Sequence, residues 1–312
     1  MQIKYKTLCK DNFGIEFKLI SGLGANYIAQ VGDVGSIRRI KKSYIFAKRC
    51  MDNLHEHALE PLSFDVSDSG IVSALYRQKD VAMLETFLNQ ANDLWQYIVG
   101  KRLGRVLYLL HHSPLVEKDK IRAQRRSERI IDTLALYLEK KHMRFENDST
   151  LIEAISMRLG NMQHTKDVLL LGLISLNNLF LSHDGIIVIK PTYNFAIGDY
   201  TEDLASLTNE CAKNYPLFVS GAIDGYFGVH IPSKFYVNYA LYSAINVITR
   251  GYNKVLSQKN RDLKLCREIY DNYVEKIDFL NFQFDDFKKP IPKFLLTNKL
   301  LKIRQQCLES GL

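Results

Sequence analysis

The chain has 312 residues, 46% apolar and 24% charged, with a formal net charge of +8. This composition excludes a disordered or collagen-like chain, and the length suits two lobes or domains. The five cysteines (Cys9, Cys50, Cys211, Cys266, Cys307) contain no Cys-x-x-Cys pair, which argues against a zinc ribbon or a disulfide frame. No run approaches the roughly 18 apolar residues of a membrane span, and the polar start is unlike a signal peptide, so a cytoplasmic protein is expected. The basic excess suits a polyanion, a nucleotide or plain solubility, and we do not expect a nucleic-acid partner from charge alone.

Strand-like segments come first: 17–20, 27–31 and 36–40, separated by turns with Gly22 and Gly24 and with Gly32 to Gly35. Helical spacing over 44–59 places Ile45, Cys50, Met51, Leu54 and Ala58 inward. Segments 62–66 and 71–76 then pair across a Ser-Gly turn, giving a small antiparallel sheet with one helix. From about residue 88 the period becomes helical, with helices over 92–112, 117–141 and 151–159. Two short apolar runs flanking Asp184-Gly185 predict a β-hairpin, and helices follow over 203–214, 232–251, 263–280 and 295–308. The fold class is α+β: a small antiparallel-sheet N-lobe over 1–80, and over 81–312 a larger, mainly helical C-lobe with an embedded hairpin.

Six stretches stand in a suggestive order. The first runs from Ile20 to Asn26 and is followed by Ile37-Arg38-Arg39-Ile40. The 103–112 helix ends in His111 and His112. Leu171-Gly172-Leu173 leads to Asn178, and Val188-Ile189-Lys190 follows the hairpin turn. Gly198-Asp199 precedes Asp203-Leu204-Ala205. Gly225-Tyr226-Phe227-Gly228 precedes Ile231-Pro232 and Phe235. Together they resemble the aminoglycoside phosphotransferase and choline kinase superfamily over roughly 15–250. The resemblance implies a two-lobed protein-kinase-like fold, with Gly22 and Gly24 covering a nucleotide and Arg39 as a phosphate ligand.

Phosphoryl transfer needs a carboxylate to orient the attacking hydroxyl, and acid or amide ligands for magnesium. The family writes these as His-Gly-Asp-x-x-x-x-Asn, a hairpin, then Ile-Asp. In this chain the first Asp position is Leu173 and the second is Lys190, while Asn178 keeps the Asn; a slip to Ile189 or Pro191 recovers no acid. Leucine cannot take or orient a proton, and an ammonium repels a magnesium ion. The expectation is therefore a catalytically impaired kinase-like protein that binds ATP or another nucleotide, or a protein or small-molecule partner, without magnesium. Lys190 either takes the metal's place against a phosphate or is a surface lysine at a strand end. Asn178 either binds metal or ties the backbone. Asp203 is expected to cap its helix, and Gly198-Asp199 to brace the loop. The alternative is an active small-molecule phosphotransferase acting on a hydroxyl, with Asp199 or Asp203 supplying a rearranged metal site. The basic run 118–129 reads as a solvated helix face or, as the minor reading, a polyanion site.

Overall fold

The computed structural model describes residues 4–11, 13–22, 25–77, 81–117, 119, 126–139, 144, 148–149, 152–153, 155–156, 166–172, 174–228, 230–256 and 292–310. Leu173, Gly24, Cys266, the predicted helix over 263–280 and most of the 118–129 run and of the 151–159 helix lie outside these residues.

The first lobe is a five-stranded antiparallel sheet ordered β1-β2-β3-β5-β4. Its strands are β1 (Lys4–Lys10), β2 (Glu16–Gly22), β3 (Ala25–Gly32), β4 (Pro61–Val66) and β5 (Val72–Arg77), and α1 (Ile37–Leu54) packs against it. The expected strand over 36–40 is instead a 3-10 turn, Val34–Ser36, running into α1. Asp33 causes this: its carboxylate accepts from the Ser36 amide (3.1 Å), which turns the chain into a helix. Ile40, Phe46, Ala47, Cys50 and Leu54 then fall on one buried face at helical spacing. Ile45, expected inward, is 46% exposed.

The second lobe opens with β6 (Val81–Met83), α2 (Leu84–Leu88) and α3 (Asp93–His111), with Asn92 capping α3 through the Trp95 amide. α4 (Arg126–Glu139) and β7 (Val168–Leu170) follow. The predicted hairpin is present as β8 (Leu179–Ser182) and β9 (Ile187–Ile189), with β6 added in the order β6-β8-β9. β10 (Ala196–Gly198) pairs with β7. The helices α5 (Tyr200–Cys211), α6 (Pro216–Phe227), α7 (Ser233–Leu256) and α8 (Asn298–Glu309) complete the lobe.

α3 and α6 are packed backbone to backbone. Gly100 and Gly104 on one helix meet Gly221 and Gly225 on the other, and a Cβ at any of them would fall well inside contact distance of a carbonyl oxygen across the interface. This pair fixes the far end of α3, which carries His111. Phe180 of β8 and Val188 of β9 belong to the same buried cluster as Ile15, Phe17, Ile28 and Tyr76 of the first lobe. The hairpin thus completes the core of the sheet above it.

Candidate functional site

The site is assembled from α5 outward. Asp203, wholly buried in α5, accepts from the amides of Leu171 (2.7 Å) and Gly172 (3.0 Å). Its Oδ2 also shares a hydrogen bond with His111 Nε2 (3.1 Å), and His111 Nδ1 bonds the Tyr226 hydroxyl (3.0 Å). Gly172 has φ +90°, a left-handed conformation that glycine adopts without strain. Ser206 Oγ accepts from the Ile174 amide (3.1 Å). The loop around position 173 is therefore clamped to α5 and α3 before any ligand arrives.

The roles expected of the two aspartates are exchanged. α5 begins at Tyr200, three residues before Asp203, so Asp199 is the cap: its Oδ1 accepts from the Thr201 amide (2.8 Å), and Glu202 reaches back to the Asp199 amide (3.2 Å) in a capping box. Asp199 Oδ2 accepts from Asn238 Nδ2 (2.9 Å). Asp203 is the brace. Both carboxylates are buried with each oxygen engaged by a protein donor, so a metal would have to compete with those bonds. Among the described residues no group of three or more His, Cys, Asp or Glu side chains is placed to hold one.

Asn178 ends a 3-10 turn, Leu176–Asn178, and its carbonyl accepts from the Lys190 amide (3.0 Å), so loop end and strand end are brought together. Lys190 is not a surface lysine. It is 7% exposed, and its ammonium lies 4.6 Å from the centre of the Phe17 ring and 3.5 Å from Cys9 Sγ. Burial pushes its pKa below the ordinary 10.5, with Cys9 and Asp11 pulling the other way. The side chain runs from the end of the hairpin to Cys9 of β1 and Phe17 of β2, joining the two lobes.

One loop of the first lobe that meets the second is 11–15, between β1 and β2; the 55–58 turn meets β9 at Ile187 and Ile189. Asp11 Oδ1 accepts from the amides of Phe13 (2.8 Å) and Ile15 (3.0 Å), and Gly14 takes φ +80°. Asp11 Oδ2 accepts from the Tyr193 hydroxyl (3.0 Å), and the rings of Phe13 and Tyr193 meet edge to face. Arg39 lies in the first turn of α1, not on a strand, with its guanidinium 3.8 Å from the Phe13 ring centre and 5.9 Å from that of Tyr193. Arg38 beside it is exposed. Gly22 pairs with Ala25 at the opposite end of β2 from this loop, so the antiparallel order separates it from Arg39 and Lys190.

The sequence reading missed Gln30 and Ser43. Gln30, 1% exposed on β3, donates to Ser43 Oγ on α1 (3.3 Å) and accepts from the Tyr76 hydroxyl (3.2 Å). Protein kinases join the third strand to the following helix by a Lys–Glu ion pair that positions ATP phosphates. Here a neutral hydrogen bond joins the same elements. The signal in the sequence was a polar residue at an inward position: Ile28 and Gln30 share one face of a strand.

No family model and no curated protein matches this sequence. Solved structures do. The complex of APH(2")-IIia with GDP and kanamycin is similar with a TM-score of 0.68 at 13% identity, covering 89% of this chain and 94% of that one. A thermostable mutant of the aminoglycoside phosphotransferase APH(4)-Ia is similar with a TM-score of 0.63 at 10% identity, covering 88% and 95%. A choline/ethanolamine kinase family protein from Mesorhizobium loti is similar with a TM-score of 0.61 at 11% identity, covering 97% and 92%. The chain therefore has the two-lobed kinase-like fold shared by aminoglycoside phosphotransferases and choline kinases.

Proposed function

We propose that this protein is a catalytically impaired member of the kinase-like fold that binds a nucleotide without magnesium and acts by binding rather than by phosphoryl transfer. The observation that carries the reading is Lys190, a buried ammonium where phosphotransferases of this fold need a metal-binding acid. Leu173 in the catalytic-acid position and the neutral Gln30–Ser43 link support it. Solved structures of the same fold are described with ADP and hygromycin B and with GDP and kanamycin, which supports a nucleotide as the ligand class here. The cations we assign to its phosphates are Lys190 and Arg39, which lie against the rings of Phe17 and Phe13. On nucleotide binding the Lys190 ammonium would exchange the Phe17 ring for phosphate oxygens, a stronger, charge-assisted partner.

The test is thermal shift and calorimetric titration with ATP, in magnesium and in chelator, beside a phosphate-release assay. Binding that is insensitive to magnesium, is lost in Lys190→Met and is accompanied by no release is the expected outcome. Magnesium-dependent release or transfer above background defeats the proposal.

A further inference from the structure

A cavity of about 810 Å³ opens on the second lobe, between β6, the α2–α3 elbow and the β8–β9 turn, and none of the cleft residues lines it. Its walls are Phe87, Val99, Leu181 and Trp95, and Trp95 leaves 47% of its surface exposed. At the turn end stands Arg102, whose Nη1 donates to the Gly185 carbonyl (2.7 Å). That bond fixes the plane of the guanidinium. No carboxylate of the described residues comes within 4.0 Å of Arg102; Asp184, which lines the cavity on the same turn, is exposed and makes no ion pair with it.

Small-molecule sites are concave, mostly apolar, and oriented by a few fixed polar groups, and this cavity has each feature. An indole offers a face for a planar ring, and a guanidinium at the edge of apolar walls is best matched by an anion. We propose that the cavity binds a planar aromatic monoanion, with its ring against Trp95 and Phe87 and its anionic group on Arg102. The site is separate from the cleft and does not depend on whether the cleft binds a nucleotide.

Trp95 is the chain's single tryptophan, so its emission reports on ligands bound at or near this cavity, and Ala82→Phe distinguishes the cavity from its surroundings. The full chain is titrated with anilinonaphthalene sulfonate and, for comparison, with uncharged phenylnaphthylamine. The expected result is saturable one-to-one quenching of Trp95 by the sulfonate, with the neutral probe binding about tenfold more weakly, as one charge-assisted contact gives. Arg102→Gln weakens the sulfonate by a similar factor and leaves the neutral probe unchanged, while Ala82→Phe at the exposed rim weakens both. Circular dichroism establishes that each variant folds; should Arg102→Gln not fold, the two probes on the unaltered chain and on Ala82→Phe still decide. Equal affinities for the two probes, sulfonate binding that survives in folded Arg102→Gln or in Ala82→Phe, or an isotherm set by self-association of the protein over this face overturns the proposal.

Discussion

Lys190 ends on an aromatic face and a thiol, and these compensate a buried ammonium less completely than a carboxylate would. Its depressed pKa means that the folded protein holds this proton less tightly than the unfolded chain, whose lysine titrates near 10.5. Between the depressed value and 10.5 the unfolded state carries more protons, so stability rises with pH; below the depressed value the cost of the buried charge is fully in force. Lys190→Met keeps the packing against Phe17 and removes the charge. We expect it to raise stability at neutral pH by about 1 kcal/mol, the ordinary scale of a single substitution. The gain shrinks as pH rises toward 10.5. Urea unfolding of both proteins at neutral and alkaline pH checks this, and a difference that does not change with pH contradicts it. The sequence placed a lysine where an acid was due, but not its burial, because burial depends on Cys9 and Phe17, more than 170 positions away along the chain. The two aspartates were exchanged for a local reason: the helix starts three residues earlier than the apolar pattern suggests, and the position of a cap follows the true start.

Among the elements, those with a strong local signal were legible: the β8–β9 hairpin at Asp184-Gly185, and α3 behind its Asn92 cap. α1 was read as starting two turns late and ending five residues late; its start was missed because 36–40 has both strand alternation and helical spacing and only the Asp33 cap decides between them. β1 gave little pattern since four of its seven residues in succession are exposed. α6 was missed for the opposite reason. It is apolar nearly all round and buried, so there is no polar face to reveal the period. Its glycines are what let it approach α3. Gly104→Ala would press a methyl group into the Ala222 carbonyl and the Tyr226 amide, and backbone atoms cannot rotate away. Overpacking of this kind costs about 1–3 kcal/mol, and a shift of α3 would also disturb His111 and the Asp203 clamp. A chemical-denaturation midpoint equal to that of the unaltered protein would show that the helices have more room than their separation implies.

At the scale of the whole molecule, the two-lobed plan was readable from the change of period near residue 88, and the frame of the cleft from Asn178, Gly198 and Asp203. The contents of the cleft were not, since they depend on contacts between segments of the two lobes that are far apart in the chain. The loop 11–15 carries no glycine-rich motif, and its contacts with Tyr193 and Arg39 join segments distant in the chain. The kinase-like frame is retained by interactions that involve no substrate: Asp203 to the loop amides, Asp199 to Asn238, and α3 against α6. Phe180 and Val188 carry a last consequence. They fill the core of the first lobe from the second, and Phe46, Cys50 and Leu54 of α1 enter the second lobe's cluster, so neither lobe has a complete interior alone. The lobes are then thermodynamically one cooperative unit, and heating should give a single calorimetric transition whose van't Hoff and calorimetric enthalpies agree. A fragment ending near residue 80 should lack a sharp melt, having lost the two side chains that close its sheet.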